Sequence, residues 1–377
     1  MRNMARKSLW LWIAVLAGLF WFIATPSHDQ ASLPYPPSSI IANITFDWST
    51  HDREAQGSDN WPITWADNDH QYTSWGDGGG FGGTNRDGRV SLGVARVEGT
   101  AGGHQGINVW GGKEPENEAT FEGKSYGIIS VAGILYMWVS PGSNATSYEW
   151  ARIHSSTNRG ASWTAANWTF KKSDGFILPT FLQFGKDYQG ARDNFVYIYA
   201  NHFKPRLIGL SKDRLRIHKP GEIALMRVPK TSILDRQSYE FFAGIDNNGN
   251  PRWTNDLEAR KAVFEDTKGV GWNTSAGYNP GLRRYLLITE HVASLKGNIG
   301  VFDAPNPWGP WTTVKYATAF GTPHVESTTF FWNFSNKWLS ADGKHFTLVF
   351  TGTGGGEGND SWNTVRGAFV MREQGLN

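Results

Sequence analysis

The 377-residue chain contains no cysteine. That removes disulfides, thiolate metal sites and a cysteine nucleophile. Charge of one sign is also lacking: 36 Lys and Arg face 34 Asp and Glu. Arg2, Arg6, Lys7 and Asp29 fall in the first 30 residues, which leaves 33 charges of each sign beyond them. No basic stripe suited to neutralising phosphates is present, so nucleic acid is not an expected partner. Beyond the N-terminus there is no long segment of helical periodicity. The chain has no GxSxG elbow, HExxH pair or GxxxxGK[ST] loop. "GTGGGEGND" (Gly352 to Asp360) is glycine-rich, but it follows a strand and opens no evident helix, which argues against a phosphate cradle. No ligand motif identifies a metal, and no cofactor is expected.

Aromatic residues and glycine are abundant. The chain has 19 Trp and 44 Gly, and aromatics make up 14% of it. This composition suits many short strands joined by tight turns. At the N-terminus, Arg2, Arg6 and Lys7 precede an uncharged apolar run from Leu9 to Ala24. The pattern predicts an export signal over residues 1–30, either cleaved or kept as a membrane anchor. A Pro/Ser linker over 31–40 follows, and residues 41–377 form one domain, expected to be monomeric.

Within that domain one pattern recurs: a short strand, a turn, then a β-rich strand opening on an aromatic. The second strands read "YTSWGD", "YMWVSP", "YIYANH", "YLLITE" and "FTLVFT". The turns before them include "DND", "VAG", "NPGL" and "ADGK", all rich in turn residues. Five such antiparallel units predict an all-β, five-bladed β-propeller. The unpaired early strand "IIANITFDW" is expected to close the last blade as its outer strand. A ring of six or seven blades, or a sandwich, is the competing architecture, because Asp246 to Gly271 is long enough to hold further strands. "SSTNRGASW" (Ser155 to Trp163) is similar to the peripheral Asp-box turn of sialidase-type propellers.

The first hairpin carries the chemistry of most interest. Asp59 precedes Asn68 by nine residues and Asp77 follows it by nine. A hairpin folded about Asn68 makes the two near cross-strand neighbours at one mouth, unless a register slip turns one away. Close carboxylates separate in pKa, as glycoside hydrolysis requires of its acid and its nucleophile or base. Taken singly, each Asp reads first as a turn residue; the mirrored placement, with Trp61, Trp65 and Trp75 nearby, brings the catalytic reading level with it. The repeat puts Glu290 and His202 in strand-end slots equivalent to that of Asp77, which makes Glu290, beside His291, a further acid/base candidate. Trp61 and Trp75 near the Asp pair, together with Tyr126, His202, Asn273, Trp332 and Asn333, are candidates for holding sugar faces and hydroxyls. His104 joins them from the glycine-rich "GGHQG".

Four segments carry a family resemblance: "SDNWPITWADNDHQYTSWGDGGGF", "VPKTSILDRQSYEFFAGIDNNGNPRWT", "SAGYNPGLRRYLLIT" and "DAPNPWGPWT". From about Ile41 onward the chain resembles the domain-of-unknown-function family numbered 4185. Some of these segments are shared loosely with five-bladed glycosidase propellers of the arabinanase and sucrase type. The resemblance implies a propeller glycoside hydrolase, since characterised members include endo-acting D-arabinanases that cleave furanose polymers of mycobacterial-type cell walls. Their proposed acids, in an early "[ST]D" element and a following "GD" element, match Asp59 and Asp77. The early element here departs from theirs: it reads "SDNW", where they tend to carry a small apolar residue and Gly after the Asp.

Three functions follow as expectations. The first is an exported hydrolase acting on an oligo- or polysaccharide. The second is a polysaccharide lyase using His104, His202 or Tyr126. The third is a non-catalytic glycan- or protein-binding propeller.

Overall fold

The computed structural model describes residues 33–141, 149–202, 217–325, 329–352 and 360–373. The N-terminal export signal expected over residues 1–30 lies outside them. Pro34 to Asn377 form one compact unit.

Its strands group into five antiparallel meanders, of which the third and fourth are joined into one ten-stranded sheet by a short parallel pairing of Leu182 with Ala276 and Gln183 with Gly277. The chain opens with β1 (Ile41–Glu54) and then builds the first sheet from β2 (Ile63–Trp65), β3 (Gln71–Gly76), β4 (Leu92–Thr100) and β5 (Gly103–Trp110). The second sheet holds β6 (Lys124–Val131), β7 (Ile134–Ser140) and β8 (Trp150–Ser156), with the short β9 (Thr164–Ala165) and β10 (Phe170–Lys171) both on β8. The third comprises β11 (Phe176–Gln183), β12 (Phe195–His202), β13 (Glu222–Pro229), β14 (Glu240–Ile245) and β15 (Pro251–Thr254), with β16 (Ala262–Glu265) added to β13. The fourth is β17 (Thr274–Asn279), β18 (Arg284–Glu290), β19 (Ile299–Ala304) and β20 (Thr312–Ala317). In the fifth, β21 (Thr329–Phe334), β22 (His345–Gly352) and β23 (Trp362–Met371) are completed by β1, which pairs antiparallel with β23.

The first strands of successive sheets neighbour one another in order: β2 and β3 lie against β6, β6 against β11, β11 against β17 and β17 against β21. Asn333 of β21 closes the ring by donating to the Trp61 carbonyl at 3.2 Å. The molecule is an all-β propeller whose N-terminal strand completes the last sheet. Asp246 to Gly271 contributes β15 and β16 to the third sheet rather than a blade of its own.

Burial follows this order. Every residue of β3 and β6 is buried, because each sheet is covered on both faces by its neighbours. β1, on the outside, alternates toward solvent. Tyr126, Ile177, Leu178, Trp272, Phe330 and Phe331, drawn from four sheets, form one apolar cluster. The segment expected as a linker is docked from Tyr35 on: the Tyr35 hydroxyl accepts from the Glu265 N–H at 2.8 Å, and Pro37 bridges to Thr313. The Asp-box-like turn carries its own hydrogen bonds: Ser156 Oγ donates to Asn158 Oδ1, and that oxygen also accepts from the Ser162 N–H.

Candidate functional site

The first hairpin is centred on Asn68 near its turn, where Ile63 pairs with Thr73 and Trp65 with Gln71. Farther along, the register slips by one. Asp59 pairs with Gly76, each donating its N–H to the other's carbonyl at 3.0 and 2.8 Å. The expected direct opposition of Asp59 and Asp77 is therefore corrected by one residue. The slip lies between Asp59 and Ile63, where Asn60 takes a positive φ of 60°. Asp77 also has a left-handed backbone, φ 57°. That ends the strand, so alternation along the pleat no longer dictates where its side chain points.

Lys124, the first residue of β6, pairs with Asp77 and acts electrostatically on Asp59. The Lys124 Nζ lies 2.6 Å from Asp77 Oδ1 and donates to the Ser91 carbonyl at 3.1 Å, and its side chain is only 4% exposed. Arg89 adds a second cation, with Nη2 3.1 Å from the same Asp77 oxygen. Gly76 lies close to both Asp59 and Lys124. A Cβ there would stand 3.2 Å from Asp59 Oδ1 and 3.3 Å from Lys124 Nζ. Burial, then the neighbouring Asp360 charge, push the Asp59 carboxyl well above the usual carboxylate range; Lys124 pulls the other way. Burial and the charge of Asp77 push Asp360 up to about 6. The site thus holds three carboxyl groups and two cations, with Asp77 paired to both cations.

Glu290 stands apart. It is fully buried at the end of β18; its Oε1 accepts from the Leu295 N–H at 2.6 Å, and its Oε2 has no hydrogen-bond partner among the described residues. Burial pushes it up to about 8, and the opposing influence is the Leu295 N–H, not the charge of Asp59 or Asp77.

The expected sugar-holding side chains are mostly structural in their contacts. Trp61 and Trp75 are 0% exposed; their rings pack tilted against each other, and Trp61 also packs against Phe81 and edge-on against Trp362 of the last sheet, so neither ring offers a face to a ligand. Tyr126 lies in the apolar cluster against Trp272. Trp332 is buried against Phe320. Asn333 is committed to the Trp61 and Phe331 carbonyls. Asn273 is buried, and neither of its amide atoms finds a hydrogen-bond partner among the described residues. His202 is held between Glu222 (Nδ1 to Oε2, 2.7 Å) and Arg260 (3.2 Å).

His104 is the second residue of β5 and accepts from the Trp362 indole N–H at 3.1 Å. Its Nε2 lies 3.7 Å from Glu54 and 3.9 Å from Asp52. These three polar atoms are close enough together for a cation, but the imidazole nitrogen facing the acids is already engaged by Trp362.

Lys124, Arg89 and Asp360 were not among the sequence candidates. One signal did exist for Lys124. It opens the otherwise uncharged "KSYGIISV", the first strand of the second repeat. A lysine buried at that start requires an acidic partner.

No curated protein matches this sequence. Among solved structures, a "putative exo-beta-1,3-galactanase" from Bifidobacterium bifidum s17 is similar at TM-score 0.50 and 9% identity, covering 90% of this chain and 97% of its own. A GH43_1 enzyme from Xanthomonas citri (TM-score 0.45, 14% identity) covers 83% of this chain and 87% of its own. A thermostable family-43 glycoside hydrolase (TM-score 0.46, 12% identity) covers 82% and 88%. At these identities the likeness concerns the fold alone. The family model described as Domain of unknown function (DUF4185) matches residues 115–329, more than half of the chain. The chain belongs to that family.

Proposed function

We propose that the protein is an exported glycoside hydrolase acting on a cell-wall or plant polysaccharide, with Asp59 and Asp77 as its working carboxyl groups. The observation that carries this reading is their asymmetry around Lys124. Asp77 is ion-paired with two cations, Lys124 and Arg89. Asp59 is driven toward its protonated form by burial and Asp360. That division is the one glycosidic cleavage needs.

In this scheme Asp59 donates its proton to the leaving oxygen as the glycosidic C–O bond breaks. The Asp77 carboxylate adds to the anomeric carbon. Water then attacks that carbon, gives a proton to the Asp59 carboxylate and releases Asp77. The galactanase and family-43 names of the similar structures agree with a carbohydrate substrate. The lyase reading has less support: His104 and His202 are tied to Trp362, Glu222 and Arg260, and Tyr126 is buried in the apolar cluster.

The test is release of reducing ends from a panel of plant and bacterial polysaccharides. Wild type is expected to cut at least one. Asp59→Asn and Asp77→Asn are each expected to lose roughly 10²–10⁴-fold or more. Binding without turnover, unchanged in both variants, would instead support a glycan-binding propeller.

A further inference from the structure

A second concavity lies on the last sheet, away from Asp59. A groove of about 580 Å³ opens between the fifth sheet and the turn that joins β4 to β5. Thr351, whose Oγ1 accepts from the Asn60 N–H beside Asp59, stands near one end of β22. The groove takes His345 and Thr347 from the other end. Thr347 and Thr351 are four residues apart, about 13 Å along an extended strand. The groove is therefore separate from the site of Asp59 and Asp77.

Three strands build its floor in one register. Asp47 of β1 pairs with Arg366 of β23, and Arg366 pairs with Thr347 of β22. Side chains alternate along a strand, so Thr347 shares a face with Val349, and Arg366 shares that face with Trp362. Val349 and Trp362 belong to one apolar cluster with Trp338, which lines the groove next to Leu339. Trp338 is held in place: its ring packs on His104 with centroids 5.2 Å apart, and its indole N–H donates to the Gly99 carbonyl at 3.4 Å.

The charged groups of the floor are exposed and largely uncommitted. The Arg366 guanidinium makes no hydrogen bond or ion pair among the described residues; only its backbone N–H is engaged, by Thr50 Oγ1. Asp47 uses Oδ1 for the Ser49 N–H at 3.1 Å and the Ser49 hydroxyl at 2.5 Å, and its Oδ2 has no hydrogen-bond partner among the described residues. A row of donor and acceptor side chains thus lies beside an apolar wall, in a space of the size that small ligands fill.

We propose that this groove is a second carbohydrate site, which holds a stretch of neutral sugar chain without cutting it. Sugar hydroxyls both donate and accept, so one chain can donate to Asp47 and accept from Arg366. Trp338 and Leu339 offer apolar surface to its C–H groups. An acidic chain would gain from Arg366 but meet the Asp47 carboxylate across the same register, and the neutral chain fits better. The ligand class rests on the carbohydrate reading above; the binding itself is independent of catalysis.

The test uses the full chain carrying Asp59→Asn, so that the probe is not consumed. Xylohexaose, arabinohexaose, galactohexaose and hexagalacturonate are each titrated against the Trp338 indole N–H signal in NMR, assigned with Trp338→Phe. At least one of the three neutral probes is expected to shift that signal. Calorimetry should then show binding of that probe weakened by about tenfold or more in Arg366→Ala and in Asp47→Ala, as expected for hydrogen bonds to charged groups. Both residues are exposed, so these variants keep the test decisive should Trp338→Phe not fold. Binding of hexagalacturonate alone, no binding of any neutral probe, or unchanged affinity in both variants overturns the proposal. The hydrolase reading fails by a different result: a wild type that cuts no polysaccharide while the groove still binds its neutral probe.

Discussion

Asp77 and Glu290 occupy equivalent places in the repeat, at the end of the second strand of the first and fourth sheets, yet the molecule treats them oppositely. Asp77 keeps part of its surface open, with its side chain 29% exposed, and faces two cations. Glu290 is sealed, receives one backbone N–H and has no cation in contact. One carboxyl is therefore ion-paired, and burial holds the other toward its neutral form. The repeat sets where an acidic side chain emerges, and the neighbouring sheet sets what it can do. For Asp77 that neighbour is β6, which begins with Lys124; for Glu290 it is the Leu295 turn.

Removing the cation from the first region should have the largest effect. Lys124→Met leaves Asp77 with only the exposed Arg89. Hydrogen bonds to charged groups contribute about 1.5–3 kcal/mol, so stability measured by urea unfolding should fall by roughly that amount. Turnover should fall with it. An unchanged midpoint would mean that Lys124 is not what distinguishes the two slots.

The second region is tested by Glu290→Gln. Burial raises this carboxyl from its ordinary value to about 8, so the folded state is penalised wherever the unfolded chain would ionise it. The penalty is absent below the unfolded value of about 4.5. It grows as pH rises and is complete above about 8. Wild type should therefore lose stability relative to Glu290→Gln between pH 5 and 8, as thermal melts across that range would show. A constant difference between the two proteins would mean that Glu290 titrates normally.

The smallest effect is expected from Arg89→Ala. Its side chain is 43% exposed, and surface ion pairs contribute about 0.2–1 kcal/mol. A larger loss by the same unfolding assay would make Arg89, not Lys124, the main support of Asp77.

Much of the fold was legible in the chain because its signals are local. Turn residues between aromatic-led strands marked the five hairpins, and the unpaired strand at Ile41 pointed to closure of the ring. The Asp59 and Asp77 neighbourhood was legible too, but the register was not: a single left-handed residue, Asn60, shifts the pairing by one. The roles of the aromatics were also hidden. Trp61 and Trp75 beside two acids read as sugar platforms, and only the approach of the last sheet turns them into core. Lys124 and Asp360 come from other sheets, separated from Asp59 by long stretches of chain, and no local pattern reports such a meeting. Glu290 was placed in the correct slot, but its burial depends on the Leu295 turn folding back over it.

The most direct test of the account compares Asp59→Asn, Asp77→Asn and Glu290→Gln side by side with wild type, by kcat/KM for reducing-end release on one cleaved polysaccharide. The account predicts severe loss in the first two and near wild-type turnover in the third. Loss in Glu290→Gln, with activity retained in both Asp variants, would contradict it.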